Sequence, residues 1–294
     1  VAGLMFEGFA RRKVTLAAGE INLVQGGKGP PLLLLHGYPQ THIMWHKLAP
    51  ALAERFTVVC PDLRGYGDSM KPESGPDHAA YSKRAMAQDQ VETMQALGFA
   101  RFAVAGHDRG GRVAHRLALD HGERVERVAV LDICPTHSMY AETDKEFATA
   151  YYHWFFLIQP APHPERFIGA DPAYWINAKL GHWGRDKAAI TPEARAEYVR
   201  CFSDPATIHA TCEDYRAAAT IDLRHDAADL GRKLDMPLLV LWGAKGFVGK
   251  RYDVLAEWRR RARDVAGEAV PSGHFLPEEA PAETLRAVLA FFRA

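Results

Sequence analysis

Arg101-Phe102-Ala103-Val104-Ala105-Gly106-His107-Asp108-Arg109-Gly110-Gly111-Arg112 is the stretch that decides the fold. Arg101 to Ala105 reads as a buried strand, and Gly111 to His121 reads as a helix. Between them Gly106-His107-Asp108-Arg109-Gly110 fits G-x-[nucleophile]-x-G, a sharp strand-to-helix turn that exposes its central side chain. A serine is the usual occupant; here it is an aspartate. An ordinary carboxylate, with a pKa of about 3.9, is already ionised at neutral pH and needs no base to activate it. Its attack on a carbonyl would give a reactive anhydride, whereas attack on a saturated carbon gives an ordinary ester. The residue therefore points to displacement at an alkyl carbon followed by hydrolysis of an enzyme ester.

Working outward, the same strand pattern recurs. Pro31 to Leu35 is an apolar run ending in His36-Gly37, Thr57 to Cys60 precedes Pro61-Asp62, and Val125 to Leu131 precedes Asp132. Such continuous apolar runs suit parallel strands buried on both faces. Lys13 to Leu16 and Glu20 to Gln25 alternate as a hairpin around Ala17-Ala18-Gly19. Helical segments are expected at His42 to Glu54, Ser82 to Leu97 and Gly111 to His121. Alternating strands and helices imply right-handed βαβ units and an α/β fold with a mostly parallel central sheet flanked by helices. Functional groups collect at the carboxyl edge of such a sheet, where His36, Asp62, Asp108 and Asp132 all fall.

The rhythm breaks after Asp132. From Thr136 to Ala227 no strand-like run appears, aromatic-rich Phe147 to Leu157 reads as helical, and Gln159 to Pro164 reads as a Pro-rich bend outside any helix. Strands resume at Met236 to Trp242 and Glu268 to Val270, with helices at Tyr252 to Arg263 and Ala282 to Arg293. The expected organisation is a core of residues 1–135 and 228–294, with residues 136–227 inserted as a helical cap over the active edge.

Composition excludes several classes. The 294 residues carry 36 Lys plus Arg against 36 Asp plus Glu, so no net charge draws the chain to nucleic acid or an anionic membrane. The longest apolar runs are too short to span a bilayer, and Val1 to Lys13 lacks the apolar stretch of a signal peptide. Cys60, Cys134, Cys201 and Cys212 are widely spaced without a C-x-x-C, and no H-E-x-x-H occurs. The expectation is a cytoplasmic enzyme with neither metal nor cofactor.

A carboxylate nucleophile needs a base for its second step. The elbow's usual chain order is nucleophile, acid, histidine. Ser272-Gly273-His274-Phe275 follows the last expected strand, making His274 the base. Leu241 to Gly246 offers no carboxylate to orient it, so the acid is Asp132, after the earlier strand. His36-Gly37-Tyr38-Pro39 lies in a loop beside the elbow, where it supplies a backbone N–H or merely a tight turn. Arg109 and Arg112, one turn apart at a helix N-terminus, suit a carboxylate-sized anion, unless both pair with acids of the protein. His153, Trp154 and Tyr215 are hydrogen-bond donors able to hold a leaving halide, although an aromatic stripe such as Tyr151 to Phe156 also serves packing.

Taken together, His36-Gly37-Tyr38-Pro39-Gln40-Thr41, Gly106 to Arg112, Leu131-Asp132-Ile133, Tyr152-His153-Trp154, Cys212 to Arg216 and Ser272 to Pro277 closely resemble the fluoroacetate (haloacetate) dehalogenases, enzymes of the α/β-hydrolase fold with a helical cap. The resemblance spans nearly the whole chain. It implies Asp108 as nucleophile, His274 as base, Asp132 as its partner, Arg109 and Arg112 on the substrate carboxylate, and His153, Trp154 and Tyr215 on the halide. It also implies a small haloacid and water as the reactants and a homodimer as the assembly. Trp183 stands where the family often has a substrate-adjacent Trp, and His36 and Tyr38 are expected to line the pocket. Tyr38 departs from the Phe expected there; its hydroxyl either narrows the pocket or adds a polar contact. Two other readings remain: an epoxide hydrolase using the same aspartate with Tyr152 and Tyr215 as proton donors, and a non-catalytic binder of an acidic ligand.

Overall fold

The computed structural model describes residues 5–293; the first four residues of the Val1–Lys13 stretch lie outside them. Eight strands form one sheet: β1 (Ala10–Leu16), β2 (Gly19–Gly26), β3 (Pro31–Leu35), β4 (Thr57–Pro61), β5 (Phe102–His107), β6 (Val125–Leu131), β7 (Leu238–Gly243) and β8 (Val265–Val270). Their order is β1-β2-β4-β3-β5-β6-β7-β8. The first two strands make the expected hairpin, with Leu16 opposite Gly19, and β2 adds antiparallel to β4. The remaining pairs are parallel.

Side chains alternate faces along a strand, so a strand with every residue buried is covered on both sides. β5 is of this kind, and β3 is buried after its first residue. The helix Arg109–Asp120 packs on β5, β6 and the helix Lys83–Ala96. Register brings the strand ends level, since Leu35 pairs with Gly106, His107 with Leu131, and Leu131 with Leu241. That alignment puts Asp108, Asp132 and the end of β7 on one edge.

Between β6 and β7 every element among the described residues is a helix, from Thr136–Ala141 to Ile221–Ala228. Several boundaries differ from the sequence expectation for identifiable reasons. His42 to Glu54 is a 3-10 turn, His42–Trp45, and a separate helix, Ala49–Ala53, because Pro50 cannot donate to the preceding turn. Phe147 to Leu157 breaks at Tyr151, which lies outside helical geometry between Lys145–Ala150 and Tyr152–Leu157. The Pro-rich bend ends sooner than expected: Pro164 occupies the first turn of the helix His163–Ala170, where a missing N–H costs nothing. Of Tyr252 to Arg263 only Val254–Arg259 is an α-helix, capped by Asp253 accepting from Ala256 N–H, and a short helix the sequence did not suggest, Phe247–Arg251, precedes it. No helix of the described residues is long and apolar enough to cross a membrane.

Candidate active site

The turn after β5 is as tight as its sequence requires. Asp108 adopts φ 48° and ψ −116°, a region that costs a non-glycine residue about 1–3 kcal/mol. A side chain at Gly106 would strike the Gly110 carbonyl, and one at Gly110 would strike the His36 carbonyl, so neither position accepts a Cβ. The Asp108 carboxylate consequently stands at the strand edge, its Oδ1 accepting the Tyr38 N–H at 2.9 Å. Gly37 permits that approach, since a Cβ there would lie 2.5 Å from the Asp108 Cβ.

His274 faces the carboxylate from the loop after β8, with Nε2 4.0 Å from Asp108 Oδ2. Its other nitrogen, Nδ1, lies 2.6 Å from Asp132 Oδ2, which makes Nδ1 the protonated nitrogen and leaves Nε2 toward Asp108. Asp132 is fixed in turn by Gly243 N–H, 2.9 Å from its Oδ1. The end of β7 thus contributes a donor where the sequence offered no acid. Asp132 also has positive φ, 53°. His107, unremarked in the sequence, donates Nε2–H to the His274 carbonyl at 2.7 Å and anchors that loop.

Electrostatics separate these groups. Burial alone would raise the Asp108 carboxyl, but His274, His107, Arg109 and Arg112 outweigh it and hold the group below the ordinary carboxylate range. Burial alone would lower His274, yet its hydrogen bond to Asp132 and the charges of Asp132 and Asp108 hold it above the ordinary histidine range. His153 moves the other way: burial and the nearby charge of Lys179 keep its imidazole neutral.

Asp108, Asp132, His153, Trp183 and His274 border one cavity of about 100 Å³, together with Tyr151 and Phe247. That volume suits a ligand of only a few heavy atoms, since drug-sized ligands occupy roughly 300–1,000 Å³. Arg109, Trp154, Tyr215 and Tyr38 do not border this cavity, and Arg112 borders a separate small cavity with Cys134 and Thr136. Arg109 lies 4.1 Å from the Tyr215 ring centroid, and Arg112 lies 4.8 Å from that of Trp154. The Tyr38 ring packs edge-on to Tyr215 at 5.2 Å and parallel to His153 at 6.3 Å, and its hydroxyl accepts the Trp175 indole N–H at 2.6 Å. The extra hydroxyl is therefore a tie to the helical segment. Contrary to expectation, neither Tyr38 nor His36 borders the cavity, and His36 takes a structural place instead. Its Nδ1 bonds the Gly37 carbonyl and its Nε2 accepts Leu63 N–H, both at 3.0 Å, joining the loops after β3 and β4.

The two arginines differ. Arg109 pairs with Asp214 through Nε at 3.0 Å and Nη2 at 2.6 Å, both groups fully buried, so the alternative of a protein partner holds for this residue. Its Nη1 has no partner among the described residues. Arg112 meets only neutral acceptors, the Cys134 carbonyl at 3.0 Å and Thr136 Oγ1 at 2.8 Å, and its buried Nε is unpartnered. His153 Nδ1 and Trp154 Nε1 are also buried without a partner. Asp214, Lys83 and Tyr66 escaped the sequence reading. Asp214 accepts from Lys83 Nζ and from the Tyr66 hydroxyl at 2.6 Å, so it anchors Arg109 as part of a larger buried network.

Comparison with known proteins shows the family. Residues 30–281 match the α/β hydrolase fold family. A fluoroacetate dehalogenase of Burkholderia sp. is 50% identical over 98% of this chain and 95% of its own. A soluble epoxide hydrolase of Corynebacterium sp. is 36% identical over 92% and 93% respectively. Among solved structures, a protein of Nostoc sp. PCC 7120 assigned to the α/β hydrolases is 64% identical, with a TM-score of 0.96 over 97% of this chain and 98% of that one. With its eight-stranded sheet and the aspartate of its nucleophile turn, the chain belongs to the α/β-hydrolase family and groups within it with the fluoroacetate dehalogenases.

Proposed function

We propose that this protein hydrolyses small haloacetates, with residues 136–227 acting as a cap that encloses the substrate. The carrying observation is a set of buried polar nitrogens that have no partner among the described residues: the donors Arg109 Nη1, Arg112 Nε and Trp154 Nε1, with His153 Nδ1. Buried donors without acceptors cost about 1–3 kcal/mol each, so a site built this way favours an anionic substrate and an anionic leaving group. A neutral alkyl halide would satisfy fewer of them.

In the first step an Asp108 oxygen forms a bond to the α-carbon while the carbon–halogen bond breaks with its electron pair on the halide. Arg109 and Arg112 hold the substrate carboxylate, and His153, Trp154 and Tyr215 receive the halide. In the second step His274 Nε2 takes a proton from water, whose oxygen adds to the ester carbonyl. The Tyr38 N–H already directed at Asp108 Oδ1 stabilises the oxyanion. Collapse expels glycolate, protonated by His274, and the remaining water proton leaves with the halide as the net acid. Fixing both reactants in one orientation contributes much of the acceleration, about 7–11 kcal/mol in favourable systems.

The epoxide-hydrolase reading gains less from the geometry. Tyr152 is 47% exposed and its hydroxyl is taken up by Lys179 Nζ at 2.5 Å. We further infer a cytoplasmic homodimer: exposed Phe167 and Tyr174 on the cap supply apolar surface for a second copy, testable by light scattering. Ion-selective measurement of fluoride and chloride released from the corresponding haloacetates tests the function. Release in the wild type and none in Asp108→Asn is expected; epoxide opening without halide release would overturn the reading.

A further inference from the structure

Trp175, Lys179 and Trp183 recur at intervals of four along the helix Pro172–Trp183 and so share one face. That face is turned to the site. The Trp183 ring lies 4.6 Å from the His153 ring and 5.6 Å from that of His274, and Trp175 is bonded to Tyr38. Lys179 sits between the two tryptophans, 2% exposed. Its Nζ lies 3.9 Å from the Tyr152 ring centroid, 4.2 Å from that of Trp175 and 5.4 Å from that of Trp183. Among the described residues no carboxylate comes within 4.0 Å of it.

An unpaired buried ammonium is costly, and aromatic faces offset part of that cost, roughly 0.5–2 kcal/mol for each good contact. Such an arrangement suits a cation whose anionic partner arrives with the reaction. Of all charges near His153, that of Lys179 acts on it most strongly.

We propose that Lys179 is a positioning residue that sets the potential at the leaving-group end of the cavity: a caged cation behind His153 that adds its own field to the departing halide. The identity of the anion rests on the dehalogenase reading. The groups facing this point are Tyr152 and His153 from the neighbouring helix, Tyr38 from the loop after β3, and His274, Arg109 and Arg112 across the site. Burial pulls the Lys179 amine down to about 7, so its charge is present below that range and lost above it.

The test is halide affinity, read by bromide quenching of tryptophan fluorescence between pH 6 and 9.5 in the wild type, Lys179→Met and Lys179→Arg. A unit charge about 10 Å away at an effective dielectric constant of about 20 is worth about tenfold in affinity. At pH 6 the methionine variant should bind bromide about tenfold more weakly, while the arginine variant stays near wild type. With rising pH the wild type should fall toward the methionine variant and the arginine variant should not; His274 titrates in all three, so it cancels in the comparison. Lys179→Gln replaces the methionine variant if that one fails to fold. Equal affinity and equal pH dependence in all three, in protein that still releases halide, would overturn this inference alone. Wild type that neither binds nor releases halide would overturn the dehalogenase reading and this inference with it.

Discussion

Replacing Asp214 by Asn separates the buried arginine network from ordinary surface pairing. Asp214 is fully buried and accepts from Arg109 Nε and Nη2, Lys83 Nζ and the Tyr66 hydroxyl. The amide keeps the shape and one acceptor, but turns an NH₂ toward donors and removes the only carboxylate paired with Arg109 among the described residues. Lys83 retains Asp222, 3.5 Å away. Breaking a buried pair from one side costs about 3–5 kcal/mol; the retained shape and the second lysine partner put this variant at the lower end, about 3 kcal/mol. For a chain of this length the unfolding entropy is roughly 0.6 kcal/mol/K, so the melting midpoint should fall by roughly 5 °C. The exposed pair Arg263–Asp235, with side chains 69% and 83% accessible, supplies the control: Asp235→Asn should shift stability by less than about 0.5 kcal/mol. Arg109 and Lys83 outweigh burial and depress the Asp214 carboxyl. A depressed carboxyl contributes stability above its unfolded pKa, about 3.9, and loses it only as pH falls below that. Scanning calorimetry at pH 8 and pH 5 should therefore show the same gap between wild type and variant. A midpoint within about 1 °C of wild type, or a gap that closes by pH 5, would refute the reasoning.

His274→Asn should retain the first step and accumulate a carboxymethyl ester on Asp108, seen by intact mass at close to one adduct per chain; a species with no added mass would contradict the two-step scheme. In the wild type, ester hydrolysis should weaken as pH falls through the His274 titration, because the base must be unprotonated, and single-turnover rates against pH would show it. Arg112→Met should lower kcat/KM for chloroacetate by about tenfold to a hundredfold, the worth of one charge-assisted hydrogen bond, and unchanged kinetics would remove Arg112 from substrate binding. Tyr38→Phe should release the Trp175 tie at about 1 kcal/mol in urea unfolding while leaving halide release measurable.

The parts of the site legible in sequence were those tied to chain-local geometry. Asp108 is marked by glycines that leave no room for a Cβ, and Asp132 follows a strand with a clear apolar run, whereas the strand before His274, Val265–Val270, is largely exposed and is legible only over its second half. Less legible was anything set by helix phase or by distant pairing. Tyr151, not Tyr152, borders the cavity, because the chain leaves helical geometry at Tyr151 and a continuous helix over Phe147 to Leu157 assigns the wrong faces. The Arg109–Asp214 pair joins residues 105 positions apart, and no local pattern distinguishes Asp214 from the other acids of its helix. His36 misled for the opposite reason: it stands at the carboxyl edge, yet both ring nitrogens serve the backbone of neighbouring loops.

His274 is the one imidazole pressed between two carboxylates, Asp132 at 2.6 Å and Asp108 at 4.0 Å. In the proposed mechanism only one of those charges survives the first half of the reaction, because alkylation turns Asp108 into a neutral ester. The negative charge that had been raising the imidazole's proton affinity disappears at that moment, while Asp132 stays in place to orient the ring. The histidine thereby becomes easier to deprotonate at the stage when water must be activated, and it regains its affinity for the proton when the carboxylate is restored. On that mechanism the nucleophile's own charge times the two half-reactions.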